Sequence, residues 1–183
     1  MYFLYRRLYT NESSYHLLDA MMVYFQGEKL EALVFILPLG LLSLVFGGWL
    51  YVDGVTTFNK GVAIPFLLMG LLMTTVGATV GFRTPAQLLH LQAQVQSAPE
   101  STRLAEIKRM DKVNNAWKFY LVIWGLFGVV GLILRFALQN EFAQGLGIAL
   151  IFFSGVGLLV DGFAERRTHP YTKALTEIKF QVQ

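Results

Sequence analysis

The sequence predicts an all-α integral membrane protein: a four-transmembrane-helix bundle with a cytosolic helical hairpin, in which a two-helix unit recurs in tandem. Three observations predict it. Of 183 residues 55% are hydrophobic and 15% charged, with mean hydropathy +0.50, and the apolar residues come in blocks instead of amphipathic stripes. Four such blocks, 32–52, 61–82, 116–134 and 142–160, approach the roughly 20 residues a helix needs to cross a bilayer core. Basic residues gather after the second and fourth blocks, as positive-inside bias asks of cytosolic segments. The chain divides into an amphipathic or interfacial segment (1–31), spans one and two (32–82), the hairpin (83–115), spans three and four (116–160) and a basic tail (161–183).

The first segment places Arg6 and Arg7 after Tyr2, Phe3, Leu4 and Tyr5 and has no apolar core followed by a small-residue cleavage site, so it does not read as a cleaved signal peptide. From about Ser14, Leu18, Met21, Met22 and Phe25 recur three and four apart, and Ser13 or Ser14 suits the helix start. That helix is expected on the membrane surface or under the bundle.

Span one holds Pro38, expected to bend it near the cytosolic end, and Gly40, Ser43 and Gly47, which form a small-residue groove for close helix approach. Trp49 and Tyr51 end it at an interface. Span two carries the Gly77–Gly81 pair and Thr74, Thr75 and Thr79. Threonine hydroxyls in a span ordinarily bond back to the helix backbone, and the sharper alternative is a polar stripe along a solute path.

The stretch 61–96 organises the chain, because here a span passes directly into a polar segment that still reads as helical. Arg83, Arg103, Lys108, Arg109, Lys112 and Lys118 make 83–118 cytosolic. Pro85 suits the first turn of a new helix, Ser97, Ala98 and Pro99 break it, and another is expected from Ser101 or Thr102 with Glu106 as a reciprocal cap. Span three opens on Trp117, Lys118, Phe119 and Tyr120 and holds Gly125, Gly128 and Gly131. Span four meets Asp161 at its cytosolic end, and Glu165, Arg166, Arg167, Lys173 and Lys179 follow, so both termini are expected in the cytosol of a bacterial inner membrane.

An offset of 84 pairs Gly61 with Gly145, Ile64 with Ile148, Arg83 with Arg167 and Thr84 with Thr168. One inserted residue sets Pro85 opposite Pro170, and an offset of 85 sets Gly40 and Leu41 opposite Gly125 and Leu126. Two spans per unit make these parallel repeats about an axis along the membrane normal. The alternative is convergent use of Arg and Pro to stop a span and start an interfacial helix.

The chemistry is mostly negative. Without cysteine there is no disulfide, thiolate metal site or thiol relay, which excludes quinone-linked disulfide oxidases. His16, His90 and His169 fall outside the spans and are too scattered for paired haem ligands; no cofactor or metal site is expected. Phosphate loops, HExxH and GxSxG are absent. The net charge of +3 follows from span-flanking bases and does not point to nucleic acid. Asp161 is the notable acid, expected to pair with Arg166, Arg167 or Arg83.

No catalytic or family signature emerges, and three function classes remain. The leading one is a non-catalytic protein that binds another protein in or at the membrane, either an immunity protein against a membrane-active toxin or an accessory subunit of a membrane complex. Gly40, Ser43, Gly47, Gly77, Gly81, Gly125 and Gly128 would supply the packing surface. The second is an oligomeric channel or carrier using Thr74, Thr75 and Thr79. The third is a small enzyme acting on lipid through Asp161 and the arginines. Membrane lipids are partners in every case, and homo-oligomers in the second.

Overall fold

The computed structural model describes residues 12–178, and every described segment longer than a short connector is helical. Among the described residues four helices are long and apolar enough to cross a membrane: α1 (Glu12–Asp53), α2 (Thr57–Ser97), α3 (Pro99–Phe136) and α4 (Glu141–Glu177). Their 42, 41, 38 and 37 residues correspond to about 55–63 Å at 1.5 Å per residue, nearly twice a bilayer core of roughly 30 Å. Each therefore has an apolar half and a polar half. Arg6, Arg7, Phe3, Leu4 and Leu8, with Lys179, lie outside the described residues.

Helix continuity is the main departure from expectation. The segment before span one is no separate surface helix; it runs straight into the span through one π-helical turn, Ala32–Ile36. The Leu37 N–H reaches back to the Ala32 carbonyl there, immediately before Pro38, whose ring and missing donor a regular helix accommodates poorly. Pro85 starts no helix either. It lies inside α2, as Pro170 lies inside α4. Beside each, a buried threonine hydroxyl takes up a carbonyl: Thr84 donates to Val80 O at 2.6 Å and Thr168 to Glu165 O at 2.7 Å.

The break itself falls where Ser97, Ala98 and Pro99 place it. Ala98 alone leaves helical geometry, and α3 starts at Pro99, not at Ser101 or Thr102. A proline at the first helical position gives up only a donor that would have no partner there. Ser101 and Thr102 hydroxyls both donate to Ala98 O, and Glu106 is no cap: it turns inward to Arg109 and Tyr171.

In the bundle α2 and α4 form the central pair, α1 flanks α2, and α3 flanks α4. Residues 84 apart take equivalent places. Thr56 caps α2 by accepting from Asn59 N, and Asn140 caps α4 by accepting from Ala143 N. A Cβ on Gly61 would overlap Phe142 O, and one on Gly145 would overlap Phe58 O. Gly47 lies on Ala63 and Leu67, and Gly131 on Gly147 and Ile151. These contacts share the offset of 84, at which Trp124 falls opposite Gly40 and His169 opposite Pro85.

The best-buried core lies in the polar half. Leu17, Met21, Tyr24 and Phe25 of α1 meet Leu91 and Val95 of α2, Met110 of α3, and Tyr171 and Leu175 of α4. In the apolar half the outward face carries residues such as Val45, Leu68, Leu126 and Leu159, and contact depends on small residues.

Candidate functional site

Between α2 and α4, with α1 and α3 at its sides, lies a half-open cavity of about 430 Å³, inside the roughly 300–1,000 Å³ range of ligand pockets. Its apolar wall comes from matched positions on the two helices: Met69 and Phe153, Leu72 and Val156, Met73 and Gly157, Val76 and Val160, Val80 and Ala164. Ile36 of α1 and Tyr120 of α3, again 84 apart, complete that wall.

The two sides differ where the chemistry sits. On one, Gly40 and Gly77 bring α1 and α2 together backbone to backbone: a Cβ on Gly40 would overlap Thr74, and one on Gly77 would crowd Leu37. Eighty-four residues on stand Trp124 and Asp161. The Trp124 indole lies against Gly157, and its Nε1–H donates to Asp161 Oδ2 at 2.6 Å. An aromatic ring and a polar bond thereby occupy the level at which the first half has bare backbone contact.

The polar end of the cavity holds Glu28, Glu31, Asp161 and Arg167 beside Trp117, Tyr120 and Trp124. Arg167 Nη1 donates to Glu31 Oε2 at 2.6 Å, and its stem crosses Gly27, where a Cβ would come within 2.8 Å of it. Glu28 Oε1 lies 3.7 Å from the Arg83 guanidinium, outside the cavity. Three buried atoms at this end have no hydrogen-bond partner within the protein: Glu28 Oε2, Trp117 Nε1 and Arg167 Nε. A buried polar atom without a partner costs about 1–3 kcal/mol.

Below the cavity a compact ionic and aromatic group fixes this end. Tyr24 stacks on Tyr171 with centroids 4.4 Å apart. The Tyr171 hydroxyl donates to Glu106 Oε2 at 2.8 Å, and Arg109 donates to both oxygens of that carboxylate. The Arg109 guanidinium lies 5.1 Å from the Phe25 ring centre and Arg167 5.8 Å from that of Tyr24. Burial and the neighbouring Glu106 carboxylate push the Tyr171 hydroxyl far above its ordinary value. Burial, then Glu28, raises Tyr24. Burial opposes the charge on Arg109, but its bonds to Glu106 win and raise its pKa.

The small-residue positions read from the sequence face mostly inward. Gly40 and Gly47 pack on α2, Gly77 and Gly81 receive Leu37 and Leu33 of α1, Ser43 is buried, and Gly128 meets Ser154, which donates to Trp124 O. Gly125 alone of these has open space before it. The charged set is not brought together as one cluster. Arg83 goes to Glu28, Arg167 to Glu31, Asp161 to Trp124, and Arg166 is exposed. Thr75 bonds back to Leu71 O, and Thr74, Thr75 and Thr79 are not among the cavity residues. Among the described residues no three His, Asp or Glu side chains gather as a metal site.

Glu28, Glu31 and Trp124 are site residues that sequence reasoning missed. The available signal was Trp124 itself, a tryptophan well inside a span and away from the interfacial belts where that residue concentrates. Comparison with known proteins finds no matching family model, no matching curated protein and no matching solved structure.

Proposed function

We propose that this chain is a non-catalytic integral membrane protein that receives a membrane amphiphile between its helices. The apolar chain lies along Met69, Val76, Phe153 and Val160, and the head lies at Glu28, Asp161, Trp117 and Arg167. The observation that carries this reading is one cavity with an apolar wall and with Glu28, Glu31, Asp161 and Arg167 at a single end. Such a division matches the two chemistries of an amphiphile.

The polar halves, with Arg83, Arg103, Lys108, Arg109, Lys112 and Lys118, face the cytosol as a helical hairpin under the cytoplasmic membrane, supported by the basic bias of this side. The two halves derive from a tandem duplication, supported by matched caps, matched glycine contacts and matched cavity walls at one offset.

The test is native mass spectrometry of protein extracted in mild detergent, with Val80→Phe and Ala164→Phe as cavity-filling variants. A stoichiometric bound amphiphile in the wild type, lost in folded variants, is the expected result. Wild-type protein free of amphiphile, or equal retention in the variants, overturns the reading.

A second reading is capture of another membrane protein, as an immunity protein or accessory subunit. One observation favours it: α3 packs mainly on α4 and leaves Gly125 open among the exposed Leu121, Val122, Leu126 and Val129. Co-purification of a partner that Gly125→Leu abolishes supports it, and capture unchanged by that variant counts against it.

A further inference from the structure

The cavity is closed at its apolar end. On the central helices the lining residues farthest from Arg167 are Met69 and Phe153, and Phe153 belongs to an aromatic cluster. Its ring meets Phe66 edge to face at 4.9 Å and Phe152 at 5.2 Å, and Phe66 stacks on Phe152 at 5.3 Å. Beyond these rings Ala63 and Ala149 have no exposed surface, and the Gly61–Gly145 crossing brings the backbones of α2 and α4 together. A chain lying along the cavity therefore cannot pass this end without displacing packed rings.

The space short of the rings has definite dimensions. From Phe153 to Ala164, the apolar stretch of α4 that lines it, the helix rises about 16 Å at 1.5 Å per residue. One leaflet of a bilayer core has about the same depth, half of roughly 30 Å. A volume of about 430 Å³ accommodates about 17 carbons if it is filled as a cavity of about 150 Å³ is by benzene. Depth and volume thus agree on one hydrocarbon chain reaching the bilayer midplane, and two such chains would need twice the space.

We infer that the cavity measures a single acyl chain, admitting about 16 carbons and stopping longer ones at the Phe66, Phe152 and Phe153 rings. A chain that is too long must push into a packed cluster, and one that is too short leaves part of the cavity empty; both weaken binding. This inference rests on the amphiphile reading and adds the class of chain.

The experiment uses the full-length protein in nanodiscs of diphytanoyl lipid, whose branched chains mark background lipid by mass. An equimolar mixture of lauroyl, myristoyl, palmitoyl, stearoyl and arachidoyl lysophosphatidylcholine is added, and in a separate sample the five corresponding free fatty acids. Native mass spectrometry reads which lengths are retained. All lengths compete from the same bilayer, so differences in transfer from water cancel. Retention is expected to peak at palmitoyl, with lauroyl and arachidoyl chains at least about fivefold lower. Phe153→Ala opens the closed end and is expected to move the peak to stearoyl or arachidoyl. Met69→Ala, at the matched position on α2, carries the same expectation should the first variant not fold. Retention independent of length, or a peak that neither variant moves, overturns the chain measurement and leaves the amphiphile reading standing. If no member of either series is retained, the amphiphile reading itself falls.

Discussion

Replacing Arg109 by methionine tests whether the ionic group beneath the cavity holds the four helices together. Glu106 keeps only 9% of its side chain exposed, whereas Arg109 keeps 34%. Removing the guanidinium strands a nearly buried carboxylate, and breaking a buried pair from one side costs about 3–5 kcal/mol. Two features lower the expectation. The Tyr171 hydroxyl remains on Glu106 at 2.8 Å, and Arg109 already has water at part of its surface. A further loss of about 0.5–1 kcal/mol comes from each ring that Arg109 covers, Phe25 at 5.1 Å and Tyr24 at 5.5 Å. Arg109→Met should therefore destabilise by about 3 kcal/mol. The double variant Arg109→Met with Glu106→Gln removes the stranded charge and should recover to a loss of about 1–2 kcal/mol. Reversible unfolding in mixed micelles, followed by circular dichroism, measures both. A single variant losing under about 1 kcal/mol, or a double variant no better than the single, would refute the assignment of Glu106 as a charge held by Arg109.

The tyrosines make a pH prediction with a definite sign. Tyr171 and Tyr24 hold their protons more tightly folded than unfolded, so their contribution is fully present below about pH 10, the ordinary tyrosine value, and is lost as pH rises above it. Melting temperature should fall steeply between pH 10 and 11 in the wild type and more gently in Tyr171→Phe, and parallel slopes would contradict this. Glycines divide by what faces them. Gly61→Ala and Gly145→Ala drive a methyl into the opposing backbone of Phe142 or Phe58 and should each cost about 1–3 kcal/mol, whereas Gly48→Ala and Gly125→Ala meet nothing within 4 Å and should be neutral or stabilising by up to about 1 kcal/mol; the same unfolding assay reads all four. The caps Thr56 and Asn140 are equivalent, so alanine at either should cost about 1 kcal/mol, and a cap that costs nothing would show that its helix end is fixed by tertiary contacts instead.

Much of the fold was legible because its signals are local. Blocks of about twenty apolar residues announce spans whatever their neighbours are, and the break at Ala98 shows in a Ser-Ala-Pro run. Gly61 with Gly145 and Thr84 with Thr168 mark the register of the two central helices, and in the structure both pairs are buried at equivalent places. Helix ends were misread at Pro85 because proline sets only a local penalty. The helix runs on through it, with the Thr84 hydroxyl bonded to Val80 O just before.

By itself, then, the sequence determined how many helices are apolar enough to cross a membrane and where glycine permits two of them to touch. Only the tertiary structure decided what those contacts leave open. The Arg167–Glu31 bond joins residues 136 apart, and the Trp124–Asp161 bond residues 37 apart, on helices whose facing sides no local pattern specifies. Gly40 and Gly77 keep bare backbone contact, while Trp124 and Asp161, 84 residues on, place a ring and a polar bond beside the cavity. Hydropathy is additive along a chain, whereas a cavity arises only from which faces meet across the bundle.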